Sequence, residues 1–293
     1  MPSHIRDIVR NSAEALSELI DQADQRWFEA EVLAGHVLGH DRDWVVLHPE
    51  ERVSTSQAKT IQRLIARRLK HEPIAYLLGQ APFLDFTFCV NRHTLIPRAE
   101  SEWLVETART LIGKAIDWTV WDVGTGSGCL GLSIAKRLSQ VSVIASDRSK
   151  KALQVAHMNA QKLNVQNVSF LQGSLLAKHI KTALNEQPQH HLLIVANLPY
   201  LPESDRTTLQ KQVTAYEPSS ALFADEDGLA LIKRLLKQLR PFLKQRTGDV
   251  VLLEHDPRQA KLLLTFAKAV FPKAAVSSEL DQNNATRFTK ILT

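Results

Sequence analysis

The chain has 293 residues, a formal net charge of +5 and a sequence pI near 9.2; 44% of its residues are hydrophobic and 23% charged. This is the make-up of a soluble globular protein with one large or two modest domains, and no apolar run is long enough to span a bilayer. The polar stretch Met1 to Arg10 lacks an apolar signal core, so the cytoplasm is the expected compartment. Two cysteines, Cys89 and Cys129, cannot build a disulfide framework, and no metal-ligand spacing is present, so no metal is expected.

Residues 1 to about 73 read as helical. Ile5, Ile8, Val9, Leu16, Leu19 and Ile20 recur at helical spacing; Trp27, Ala30, Leu33, Val37 and Leu38 form a second stripe, ended by Gly39. A third helix opens at Ser54, with Gln57 completing a capping box. These stripes predict core, not a cofactor box. The dense basic run Arg63, Arg67, Arg68 and Lys70 predicts the wet face of that third helix, whose apolar side carries Ile61, Leu64, Ile65 and Leu69.

Between Pro82 and Val90 the character changes. Phe83, Phe86, Phe88 and Val90 are strand formers, and the last three alternate, which predicts a short hairpin joining two domains. From about residue 117 apolar runs alternate with helical stretches. The runs are Thr119 to Val123, Val141 to Ser146, Val168 to Leu171, Leu192 to Ala196 and Val250 to Leu253. The helices fall at Leu130 to Leu138, Lys150 to Leu163, Leu229 to Leu243 and Gln259 to Val270. That alternation predicts an α/β fold, a parallel sheet with helices on both faces and ligands at the carboxyl ends of its strands.

Two motifs fall at such ends. The first strand closes in Asp122-Val-Gly-Thr-Gly-Ser-Gly128, whose glycines let the backbone approach a ligand. Asp147 closes the second strand, where a carboxylate can accept from both ribose hydroxyls of a nucleoside cofactor. Gly126-Ser-Gly-Cys-Leu-Gly131 also matches the dinucleotide fingerprint, which keeps a nicotinamide enzyme in view. Asp122 argues against it: a carboxylate just before the loop repels pyrophosphate and suits the cationic end of S-adenosylmethionine.

Asn197-Leu-Pro-Tyr200 ends the fourth strand. An asparagine amide can bind a planar –NH2 group, with its oxygen and the Leu198 carbonyl accepting the two N–H bonds. Pro199 fixes its own dihedral and restrains Leu198, and Tyr200 offers a flat apolar wall. A weakly nucleophilic amide nitrogen attacking a sulfonium needs alignment and hydrogen bonds more than a strong base or a metal.

From about residue 60 onward the chain resembles the release factor glutamine methyltransferases of the HemK/PrmC type. Beyond the generic core, the likeness rests on Arg68 with Glu72-Pro-Ile-Ala-Tyr76 and Gly79, and on Leu95-Ile-Pro-Arg98 with Glu100 and Glu102. Glu217-Pro218, Ala221-Leu222, Asp227-Gly-Leu229, Glu254, Gln259 and Arg287-Phe288 complete it. The resemblance implies a Rossmann-like class I methyltransferase with a seven-stranded sheet over residues 98–293. A small helical substrate-recognition domain (1–75) and a β-hairpin linker (76–97) would precede it. It implies methyl transfer from S-adenosyl-L-methionine, released as S-adenosyl-L-homocysteine, to the glutamine amide in the Gly-Gly-Gln loop of peptide chain release factors. The protein would act as a monomer, without nucleic acid or membrane.

The resemblance gives Asn197, Leu198, Pro199 and Tyr200 the substrate glutamine. The cofactor falls to Asp122, Gly124, Thr125, Gly126, Ser127, Gly128, Asp147, Ser174 and Asn197. Leu198 stands where the family has a proline, Ala99 replaces another, Ser174 stands where an acidic residue is common near the adenine, and Asp256 takes the place of a glycine. Asn-Leu-Pro-Tyr also resembles the element of ribosomal RNA adenine dimethyltransferases, so adenine N6 methylation of RNA or DNA is a rival. A non-catalytic S-adenosylmethionine-binding module is another.

Overall fold

The computed structural model describes residues 3–244 and 246–293; Met1 and Pro2, the start of the polar N-terminal stretch, lie outside them. The chain forms two compact units. One runs to Gln80 and takes in Gln210–Tyr216; the other comprises Ala81–Leu209 and Glu217–Thr293.

In the first unit a two-residue strand β1 (Ser3–His4) pairs antiparallel with β2 (Arg52–Val53). Around this pair stand α1 (Ile5–Ala15), α2 (Ala23–Leu38), α3 (Arg42–Leu47), α4 (Thr55–Arg68) and α5 (Ile74–Leu78). The apolar stripes meet in one core, where Ile5, Ile8, Val9 and Leu16 pack with Ala30, Leu33, Ile61, Leu64 and Ile65. Trp27 departs from its stripe and is 43% exposed. The capping box opens α4 as expected: the Gln57 amide donates to Ser54 Oγ at 3.2 Å, and Gln57 Oε1 accepts from the Ser54 amide at 3.0 Å.

The basic run is not one wet face. Arg63 and Arg67 are exposed, but Arg68 is buried, with its guanidinium forked onto Glu29 at 2.6 and 3.2 Å. A charge can be buried when a partner charge meets it with matched hydrogen bonds, and that partner lies 39 residues away.

From Ala81 onward the second unit takes in the hairpin of β3 (Gln80–Phe83) and β4 (Phe86–Cys89), which lays Phe83 and Phe88 into the core beneath the sheet. The sheet strands are β5 (Trp118–Val123), β6 (Ser142–Asp147), β7 (Val168–Gln172), β8 (His191–Ala196), β9 (Val250–Glu254), β10 (Ala275–Leu280) and β11 (Thr286–Leu292). Their order is β10-β11-β9-β8-β5-β6-β7. The five strands β5 to β9 run parallel, as the sequence pattern predicts. The sheet is nevertheless mixed, because β11 lies antiparallel to both β9 and β10.

Alternate side chains of the parallel strands feed two cores. Trp121, Leu192, Ile194, Val251 and Leu253 face one side, where α9 (Lys178–Leu184), α12 (Ala230–Leu243) and α13 (Ala260–Val270) pack. Val120, Leu193, Val195, Val250 and Leu252 face the other, with α6 (Glu102–Ile112), α7 (Cys129–Arg137) and α8 (Lys150–Lys162). Burial on both faces is why these strands read as continuous apolar runs. Two short helices, α10 (Lys211–Tyr216) and α11 (Ser219–Leu222), lie between β8 and α12 in the chain, and the former clusters with the first unit.

Candidate active site

Strand order reverses at β5, which has β6 on one side and β8 on the other, so a crevice opens at their carboxyl ends. A cavity of about 270 Å³ lies there. Of the residues expected from sequence, Gly124, Thr125, Gly126 and Ser127 line it after β5, Asp147 at the end of β6, Ser174 after β7, and Asn197, Leu198 and Pro199 after β8. Residues far apart in sequence thus reach one wall because parallel strands end at the same level.

The glycine loop is pinned from below. The Gly124 and Thr125 amides both donate to the Ser146 carbonyl, at 2.8 and 2.9 Å. Gly128, at φ +85°, caps α7; a Cβ there would sit 2.7 Å from Leu132 Cδ1 and 3.2 Å from Ala156 Cβ. The Asp147 carboxylate accepts from the Gly126 amide at 3.0 Å and the Ser149 amide at 2.8 Å. Burial nonetheless pushes its pKa up, the two backbone bonds only partly opposing. A carboxylate has about four lone-pair directions, so acceptor capacity remains towards the cavity.

Asp122, Gly128 and Tyr200 stand behind the wall rather than on it. Asp122 is 1% exposed, and its Oδ2 accepts from the Thr125 hydroxyl at 2.6 Å and the Gly131 amide at 2.9 Å. It therefore ties the loop to the first turn of α7, where amide groups favour an anion. Its Oδ1 is buried with no hydrogen-bond partner, and desolvation drives the carboxyl pKa up to about 6. Gly128 is consumed by the turn into α7. The Tyr200 ring is turned inward, because its hydroxyl reaches Glu254 Oε1 at 3.2 Å, and burial raises the phenol's pKa.

The Asn197–Tyr200 turn is held by groups far away in the chain. Gln259 Nε2 donates to the Tyr200 carbonyl at 2.6 Å and the Asp227 carbonyl at 2.7 Å. Gly228 makes this approach possible: at φ +85°, a Cβ there would lie 1.9 Å from the Tyr200 carbonyl oxygen. Asn197 Nδ2 donates to Ser101 Oγ at 2.9 Å, and the Ser101 hydroxyl donates to Glu254 Oε2 at 2.6 Å. Burial pushes the Glu254 carboxyl up to about 7, against the pull of Ser101, Tyr200 and Arg287. The Leu198 side chain packs over the glycine loop, 3.0 Å from where a Gly124 Cβ would sit.

Sequence reasoning missed Ser101 and the roles of Glu217 and Asn159. Glu217, nearly fully buried, accepts from the Ile96 amide at 3.0 Å and from Arg98, so it braces the Leu95–Arg98 loop on the cavity rim. Asn159 on α8 donates to the Ser127 and Cys89 carbonyls and accepts from the Cys89 amide, linking the end of the hairpin to the glycine loop. A polar residue on the apolar face of α8 was the only signal of it in the sequence. Among the described residues no group of histidine, cysteine and acidic side chains could hold a metal ion.

Residues 9–79 match the PrmC N-terminal domain family, and residues 116–268 match a methyltransferase domain family. The release factor glutamine methyltransferase of Coxiella burnetii (strain RSA 493 / Nine Mile phase I) is 36% identical over 82% of this chain and 83% of its own length. That of Buchnera aphidicola subsp. Acyrthosiphon pisum (strain APS) is 34% identical over 92% and 91%. Among solved structures, the hMettl16 catalytic domain in complex with MAT2A 3'UTR hairpin 6 matches with a TM-score of 0.54 over 83% of this chain and 84% of that one. The N-terminal domain of human METTL16 in complex with SAH matches at 0.50, over 84% and 86%. At 14% and 16% identity these two likenesses show the class I methyltransferase fold alone.

Proposed function

The chain belongs to the release factor glutamine methyltransferases, and on that premise we propose that it methylates the glutamine side-chain amide in the Gly-Gly-Gln loop of a peptide chain release factor. S-adenosyl-L-methionine would be the donor and S-adenosyl-L-homocysteine the product. The observation that carries the reading is that Asn197-Leu-Pro opens onto the same cavity as Gly124–Ser127 and Asp147.

The residues present suit such a donor. A Cβ on Gly126 would find nothing nearer than 3.9 Å, so the loop backbone lies bare towards the cavity. Asp147 has acceptor capacity for ribose hydroxyls, and Ser174 sits exposed on the rim. The buried Asp122 carboxylate sets a negative field behind the loop, which suits a cation in front of it.

S-adenosylmethionine supplies an activated methyl group on a sulfonium that leaves as a neutral thioether. The protein supplies alignment. Asn197 Oδ1 and the Leu198 carbonyl accept the two N–H bonds of the target amide, which favours a pyramidal nitrogen with its lone pair towards the methyl carbon. With the donor bound, the S–C bond would break as the N–C bond forms, and the surplus N–H proton would be released to bulk solvent. Pro199 and the Gln259 bond to the Tyr200 carbonyl keep the Leu198 carbonyl from swinging away. Tyr200 serves as an anchor for the turn, its hydroxyl fixed on Glu254.

The helical residues 1–75 carry no catalytic constellation and are assigned to holding the release factor. Termination factors work in the cytoplasm, and no helix among the described residues is long and apolar enough to cross a membrane. The test is mass spectrometry of release factor, RNA and DNA after incubation with the enzyme and labelled donor. Label on the Gly-Gly-Gln glutamine is expected. Label on adenine instead, or donor binding without transfer to any of the three, would overturn the reading.

A further inference from the structure

Four side chains from three stretches of chain meet at the back of the cavity. Glu254 ends β9 and is 1% exposed. Its Oε2 accepts from Ser101 at 2.6 Å and its Oε1 from Tyr200 at 3.2 Å. Ser101 Oγ, in turn, lies 2.9 Å from Asn197 Nδ2.

Above about pH 7, where Glu254 is ionised, chemistry fixes the direction of every bond in this chain. An ionised carboxylate only accepts, so the single Ser101 proton points to Glu254. Lone pairs of the Ser101 oxygen are then all that faces Asn197, and only the –NH2 end of the amide can meet them. The amide oxygen is turned the other way. Packing alone could not make that choice, because the two ends of an asparagine amide have nearly the same size. An inverted amide would offer donors to the donors of a substrate amide.

We propose that Ser101 and Glu254 are positioning residues for methyl transfer: the carboxylate, acting through the Ser101 hydroxyl, dictates that Asn197 presents its oxygen to the target nitrogen. The same carboxylate holds Tyr200 through its other oxygen, so one buried group locks both ends of the Asn197–Tyr200 turn. This inference rests on the reading that Asn197 accepts from the substrate amide.

The groups around Glu254 are Glu100 and Ser101 ahead of α6, Tyr200 after β8, Arg287 on β11 and the Cys129 thiol at the start of α7. Arg287, Ser101 and Tyr200 favour the ionised form, while burial and Glu100 oppose it. A protonated Glu254 would itself donate to Ser101, freeing that hydroxyl to point at Asn197 and removing the reason for the amide's orientation.

The experiment is a double-mutant cycle on single-turnover methylation of a release factor at saturating donor, run at a pH well above 7 so that Glu254 is ionised, with donor affinity measured alongside by calorimetry. Ser101→Ala should slow transfer roughly ten- to hundredfold, the range of one hydrogen bond in a charged network, and leave donor affinity within about threefold. Ser101→Thr, which keeps the hydroxyl, should recover most of the rate. In an Asn197→Ala background, Ser101→Ala should change the rate by less than about threefold, since nothing is left to orient. Full multiplication of the two losses, or a threonine variant no better than alanine, would overturn the relay while leaving the release factor reading intact. A wild-type enzyme that leaves the release factor unmodified would end both.

Discussion

Asp122→Asn isolates what the enzyme sacrifices in stability to keep a carboxylate beneath its glycine loop. The carboxyl is 1% exposed, one of its oxygens has no partner, and its pKa is pushed up to about 6 from the ordinary 3.8, chiefly by desolvation. A raised acid pKa means that the folded state holds its proton more tightly than the unfolded chain. The stabilisation is therefore complete below pH 3.8 and is lost as pH rises through 6. A difference of about two pKa units corresponds to about 3 kcal/mol, of which about 2 kcal/mol falls between about pH 4.5 and pH 7.5. Asparagine has nothing to ionise, yet keeps an oxygen for Thr125 and Gly131. Urea unfolding of wild type and Asp122→Asn at those two pH values reads the effect, and titrations elsewhere in the chain cancel in the comparison. The variant should gain about 2 kcal/mol on wild type between the lower and the higher pH. It should also bind S-adenosylmethionine more weakly at pH 7.5, because the negative field behind the loop is gone. A stability difference that stays flat with pH would show that this carboxylate carries no desolvation penalty and would refute the reasoning.

Asn197→Ala should slow single-turnover methylation about a hundredfold to a thousandfold, the effect of one positioned transition-state hydrogen bond, with donor affinity within about tenfold; near-normal transfer would remove Asn197 from the reaction. Gly228→Ala would place a Cβ 1.9 Å from the Tyr200 carbonyl and 2.6 Å from Gln259 Nε2 in a backbone region that disfavours side chains. It should destabilise the fold by roughly 1–3 kcal/mol and reduce kcat far more than donor affinity, a split readable from steady-state rates and calorimetry. Arg68→Ala leaves the buried Glu29 carboxylate without a partner charge, held only by the Gln25 amide at 3.1 Å, so urea unfolding should show a loss of about 3–5 kcal/mol. The paired replacement Arg68→Met with Glu29→Leu should restore most of it, and equal losses in both variants would show that packing rather than charge governs the site.

The sequence by itself determined the parts whose chemistry is local. A Ser54–Gln57 capping box needs only its own four residues, and it stands where the pattern put it. The parallel strands announced themselves because burial on both faces demands unbroken apolar runs, and their last residues carry the glycine loop, Asp147 and Asn197 to one cavity. The antiparallel pair at the C-terminus was silent: Ala275–Leu280 is an edge strand of mixed exposure, so no apolar run marks it. Tertiary structure alone decided which polar groups meet. Ser101 finds Glu254 across 153 residues and Asn197 across 96, and Arg68 finds Glu29 across 39. No periodicity encodes such meetings. A serine beside a glutamate in the sequence looks like solvated surface until folding excludes the water and leaves each polar atom only the partner that topology brings to it. For the same reason the sequence could name Asp122 and Tyr200 yet not say that one braces the loop from below and the other anchors the turn. Their side-chain directions depend on the strand pleat and on the helices packed against it, which are properties of the assembled sheet.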